Sequence, residues 1–92
     1  MYIRPMSLVT SYTAWMTIES VGYEIMGAAA FDDLFEQAVL LGQVTPVVHI
    51  LEALVVDVTA VLGNPQQVRL LVEVAIQKIQ IILLNASSGW YF

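Results

Sequence analysis

Three observations predict an all-α fold for this chain. Apolar residues recur at spacings of three and four through Val44 to Leu62 and again through Val68 to Leu83, the period of a helix face. Between these stretches, Gly63-Asn64-Pro65 supplies a helix stop and a helix start in three consecutive residues. The rival β reading rests on the alternation of Val72, Val74 and Ile76. It fails at Gln77-Lys78, where the alternation changes phase without a favoured turn while the helical row runs on. The expected architecture is an antiparallel helical hairpin over about 45–62 and 65–86, with one or two additional N-terminal helices, all in a single domain spanning residues 1–92.

From Ser7 to Ala30, Leu8, Tyr12, Trp15, Ile18, Val21 and Ile25 fit a helix that Ser, Thr, Gly and aromatic residues weaken. Phe31, Leu34, Phe35, Ala38, Val39 and Leu41 continue the spacing. Asp32, Asp33 and Glu36 are expected in the first turns of that helix, where the macrodipole favours acids, and Gly42 is expected to end it. In the first hairpin arm the apolar positions are 44, 47, 48, 51, 54, 55, 58, 61 and 62, opposite Thr45, His49, Glu52 and Thr59. Thr45 before Pro46 reads as a cap, and Gly63 as the left-handed residue closing the arm. In the second arm Asn64 caps, Pro65 takes the first helical position and Gln67 lies three beyond the cap. Asn85, Ser87, Ser88 and Gly89 are expected to stop its last turn, ahead of Trp90, Tyr91 and Phe92.

Composition points outward from the fold. The chain is 59% hydrophobic and 12% charged, against about 45–50% apolar and about 25% charged in ordinary globular chains. A domain of 92 residues hides only roughly 60–65% of its unfolded surface. Part of the apolar excess is therefore expected in an interface. With eight acids against three bases, the net charge is -5, and Arg4, Arg69 and Lys78 are scattered. Direct nucleic-acid contact is disfavoured, except in a rod where one Arg repeats in register along many subunits.

The absence of cysteine removes disulfides, thiolate metal sites and thiol nucleophiles. No signal peptide is read at the N-terminus, because Ser7, Thr10, Ser11, Thr13, Thr17, Glu19 and Glu24 interrupt the stretch after Arg4. Candidate membrane windows are broken by Glu52 and Asp57, then by Glu73, Gln77, Lys78 and Gln80, which leaves lipid contact only on one side of an assembly.

Chemistry is sparse. His49, the one histidine, has Glu52 a turn away and no nucleophile signature nearby; it reads as a surface or interface side chain, with ligation of a pigment or haem metal as the minor alternative. Asp32, Asp33 and Glu36 lack the looped spacing of a calcium site, and neither phosphate-binding glycine loops nor zinc spacings occur. Asn85-Ala86-Ser87 matches a glycosylation acceptor but reads as a helix end. No catalytic residue, metal or cofactor is expected.

Met6-Ser7-Leu8-Val9-Thr10 near the start and Ala86-Ser87-Ser88-Gly89-Trp90-Tyr91 near the end resemble the opening and closing stretches of mycobacterial PE domains. That resemblance implies a secreted helical hairpin paired with a PPE partner. The residues by themselves favour a non-enzymatic subunit that self-assembles into a filament, rod or shell, similar in architecture to pilins and slender-virus coat subunits, and extracellular or virion-borne. The expected assembly interface is Val68, Leu70, Leu71, Val72, Val74, Ala75, Ile76, Ile79, Ile82, Leu83 and Trp90, and the expected hinge is Gly63, Asn64 and Pro65. Its partner is a second copy first and a helical partner protein second; a membrane- or pigment-associated subunit is the third reading. On this assignment Ile76→Asp abolishes assembly, Gln77→Asp is tolerated, Pro65→Ala is mild and Gly63→Val is harmful.

Overall fold

The computed structural model describes residues 12–88, and among them the chain forms four α-helices and no strand. These are α1 (Tyr12–Met26), α2 (Ala28–Leu40), α3 (Val44–Ala60) and α4 (Pro65–Ser88). All four bury one side into a common core, and every pair of helices is in contact. The bundle measures 45 × 23 × 22 Å, so the helices lie along its length rather than across it. At about 1.5 Å per residue, α4 runs roughly 36 Å and forms the longest wall.

The segment before residue 31 is not one continuous helix, because Gly27 separates α1 from α2. It takes φ +91° and ψ 148°, a backbone region open in practice only to glycine. Its N–H donates to the Tyr23 carbonyl at 2.9 Å, and its carbonyl accepts from Phe31 N–H at 3.0 Å, so one residue closes a helix and opens the next. Because α2 starts at Ala28, Asp32, Asp33 and Glu36 fall beyond its first turn, where the macrodipole has faded. Asp32 Oδ1 instead accepts from the Tyr23 hydroxyl at 3.2 Å, tying α2 back to α1.

The end of α2 is a Schellman turn. Gly42 takes φ +68°, its N–H donates to Val39 O at 3.2 Å, and Gln43 N–H donates to Ala38 O at 2.8 Å. Gln43, not Thr45, then precedes the first residue of α3, with no side-chain cap; Thr45 lies within the first turn. Pro46 is accommodated there because first-turn N–H groups have no helical acceptor.

The core is aliphatic along α3 and α4 and aromatic between α1 and α2. Val58 on α3 and Val72 on α4 are completely enclosed. Trp15, Phe35, Phe31 and Tyr23 form a chain of edge-to-face contacts with centroid spacings of 5.9, 5.1 and 5.5 Å. The Phe31 ring fits only because position 22 is glycine: a Cβ there would stand 2.3 Å from Phe31 Cε1. Phe31 is fully buried and held by rings on both sides, so it has little room to yield.

Gly22→Ala is expected to lower stability by up to about 2 kcal/mol, since overpacking of about 1–3 kcal/mol is set against a helix-propensity gain of about 1 kcal/mol and Phe31 has little room to yield. Urea denaturation followed by circular dichroism measures it. An unchanged or higher midpoint would mean the ring shifts freely.

Candidate assembly surface

Viewed down its axis, α4 is apolar on two opposite sides. One side carries Val68, Val72, Ala75, Ile76, Ile79 and Leu83, all buried in the chain's own core. Leu71 and Ile82 stand half-buried at its margin. The other side carries Leu70, Val74, Ile81 and Leu84, which remain 57, 47, 58 and 66% exposed. Gln77 is exposed between Val74 and Ile81.

This arrangement corrects most of the interface read from the sequence. Val68, Val72, Ala75, Ile76, Ile79 and Leu83 face no neighbouring molecule in this packing, because α1, α2 and α3 of the same chain cover them. The sequence showed how apolar the row was but not that the N-terminal half folds over it. Of the residues assigned to the interface, Leu70 and Val74 are the ones left fully outside; Trp90 lies outside the described residues. Ile81, which with Leu70 and Val74 makes a second apolar flank legible in the sequence, lies beside them, and Leu84, three residues beyond Ile81, extends the row.

Polar groups border the outward row on both flanks. Arg69 lies 3.7 Å from Glu73 and 3.9 Å from Glu24 of α1, an exposed cluster of small energetic weight. On the opposite flank a groove of about 320 Å³ runs between α3 and α4, with Lys78, Leu71 and Val74 on one wall and His49, Ala53 and Asp57 on the other. At the C-terminal end of the row a larger opening of about 670 Å³ separates α2 from α4, between Leu40 and Leu84. Leu40 is the most exposed of the large apolar residues among the described residues, at 82%.

The turn between α3 and α4 departs from expectation at one residue. Val61 N–H donates to Val58 O at 3.1 Å and Asn64 N–H to Val61 O at 2.8 Å, which closes the turn without a left-handed residue. Gly63 is not among the glycines with positive φ, and a Cβ on it would meet nothing within 4 Å. The predicted harm of Gly63→Val therefore loses its backbone basis. Asn64 Oδ1 accepts from Gln67 N–H at 3.2 Å and so caps α4, with Pro65 at the first helical position.

The other polar candidates are dispersed. His49 is exposed, and no group of three or more His, Asp or Glu able to hold a metal ion occurs among the described residues. Asn85 is an exposed residue inside α4 rather than at its end. The last turn is closed by Ser87 and Ser88, whose hydroxyls donate to Leu84 O at 3.0 and 2.9 Å. By length and composition α4 is long and apolar enough to cross a membrane, despite the polar residues that break its sequence; 28% of its most apolar window is buried in the bundle.

Comparison of the chain with protein-family models, curated proteins and solved structures finds no match. The PE-like likeness rests on edge residues, of which 86–88 alone fall within the described part of the chain.

The two sides of α4 respond differently to charge. Ile76→Asp is expected to cost several kcal/mol, a large share of the roughly 5–15 kcal/mol that holds a small domain together, because the carboxylate enters the chain's own core. Gln77→Asp should leave helix content unchanged and the folding stability of the unassociated chain within about 0.5 kcal/mol of the parent. Thermal melts by circular dichroism distinguish them, and equal losses would invalidate the assignment of sides.

Proposed function

We propose that this chain is a non-enzymatic building block that self-assembles through apolar helix surfaces into a filament, rod or shell. The observation carrying the reading is the outward row of α4: Leu70, Val74, Ile81 and Leu84 stay largely exposed after the bundle has closed over its core. They form one line on one helix instead of a scatter of single residues, and contiguous apolar surface marks an interaction site. Full burial of such side chains contributes about 1.5–3 kcal/mol each, so covering half-exposed ones contributes on the order of 1 kcal/mol each. Association costs about 4–15 kcal/mol in lost freedom, and one row on each of two copies contributes on the order of 8 kcal/mol, within that range. Repeated contacts along an assembly add to it, and Met16, Leu40, Val56 and Leu62 offer further exposed apolar surface for them. The net charge of -5 keeps the wet surface repulsive and leaves attachment to the uncharged apolar surfaces.

The test compares the parent with a Leu70→Gln, Val74→Thr, Ile81→Gln, Leu84→Gln variant by sedimentation velocity and electron microscopy at micromolar concentration. The parent is expected to form higher-order species. The variant is expected to sediment as a monomer with unchanged helix content. A parent that stays monomeric without detergent overturns the reading. So does a parent recovered only as a one-to-one complex with a different helical protein, or one soluble only with lipid.

A further inference from the structure

We infer that α4 pairs with α4 of a second copy as a parallel, in-register, two-stranded coiled coil whose central layer is Gln77. The inference rests on the self-assembly reading above and specifies its first contact. Along the outward row the spacing is four, three, four, three, four through Leu70, Val74, Gln77, Ile81, Leu84 and Ser88. At about 100° per residue these positions stay within roughly 40° of one line for about 27 Å, a heptad seam on the side opposite the chain's core. The spacing fixes the register: Val74, Ile81 and Ser88 are a positions, and Leu70, Gln77 and Leu84 are d positions.

The residue types at those positions select among arrangements. β-Branched residues at a with leucine at d favour two parallel strands, and Val74, Ile81, Leu70 and Leu84 follow that rule. Gln77 sets the register and direction. In a parallel, in-register pair each Gln77 amide meets its own symmetry mate, which can both donate to it and accept from it. A slip of one heptad would set it against Leu70 or Leu84, and an antiparallel pair, whose layers match a with d, against Val74 or Ile81. Each alternative buries an amide without a partner, which disfavours it.

Charge complementarity points the same way. Glu73 holds a g position and Lys78 the e position five residues later, the spacing that brings g of one strand against e of its parallel partner. The two-fold axis generates the contact twice. In an antiparallel pair g faces g and e faces e, so these two charges would never meet. Both are accessible: Lys78 is exposed, and the Glu73 side chain retains 42% of its surface beside Arg69, which keeps Glu24 at 3.9 Å as a second partner. A lipid surface would make no use of a glutamine at the centre of the row. Nor does docking of an unrelated helix account for a Glu–Lys pair complementary to itself at the coiled-coil offset.

The chain has no cysteine, so single-cysteine variants report the geometry directly. Leu70→Cys and Leu84→Cys, each oxidised alone, should both give covalent dimers, because d positions of parallel strands lie within disulfide reach. Glu36→Cys, on exposed α2 surface, should not. Glu73→Lys or Lys78→Glu should each weaken the dimer about tenfold by sedimentation equilibrium, and the double exchange should restore it. Circular dichroism checks that every variant retains its helices. If assembly persists but neither 70 nor 84 cross-links to itself, or the double exchange fails to rescue, the parallel seam is overturned while the self-assembly reading stands. A parent that is monomeric throughout overturns both.

Discussion

The constraint on which this bundle depends is the burial of one side of α4. Val68, Val72, Ala75, Ile76, Ile79 and Leu83 form a row on the longest helix that α1, α2 and α3 cover together. α3 packs most extensively against α4, α1 comes next and α2 least. Bringing α1 and α2 onto the same core requires a sharp reversal between them, which Gly27 provides, and close approach of the two, which Gly22 permits by making room for Phe31. The aromatic contacts of Trp15, Phe31 and Phe35 result from that approach, so the local backbone and the distant core support one another.

Helix periodicity carried most of the fold in the sequence because a strong row of apolar residues has few other ways to be buried. The rows around Leu51, Leu54 and Val58 and around Val72, Ile76 and Ile79 could be placed from spacing alone. So could the Asn64-Pro65-Gln67 start of α4 and the Gly42 end of α2, where the residues themselves make the cap or adopt the positive φ. Signals that depend on neighbours were weaker. Gly63 has the composition of a left-handed stop, yet hydrogen bonds from Val61 and Asn64 close the turn without one. The Thr45-Pro46 pair looks like a cap, yet the Schellman turn at Gly42 and Gln43 starts α3 earlier.

The candidate surface was harder to read, and the reason is physical. A row of apolar residues shows that a side must be covered without showing by what. For α4 the sequence presented two rows, and the stronger was assigned to another molecule when the chain's own α1, α2 and α3 cover it. Of the four helices α1 has the most Ser, Thr and Gly, which weaken its helix propensity, so its capacity to complete a core could not be inferred from pattern. Excess apolar composition survives the correction in reduced form. The core absorbs eighteen apolar residues, including Ala14 and Ala75, and still leaves the outward row of α4 uncovered.

The two rows on α4 are coupled through helix geometry. Because they are offset by two residues, a substitution changes one row while leaving the other in place, so fold and association can be tuned separately. The inner row holds only apolar side chains, in a core that contains no fully buried polar or charged residue among the described residues. The outer row is interrupted by Gln77 and flanked by Glu73, Lys78 and Gln80, which limits it as a site of indiscriminate sticking and gives it direction. A two-fold seam of this kind uses the same patch on both copies and closes on itself, so on its own it makes pairs and not polymers. A filament or shell would then need a second contact on another helix. The exposed Val56 and Leu62, associated with α3 and the turn after it, lie outside the proposed α4 seam. Under the assembly reading the strong directional seam forms the unit, and weaker contacts of this sort, repeated along many units, extend it.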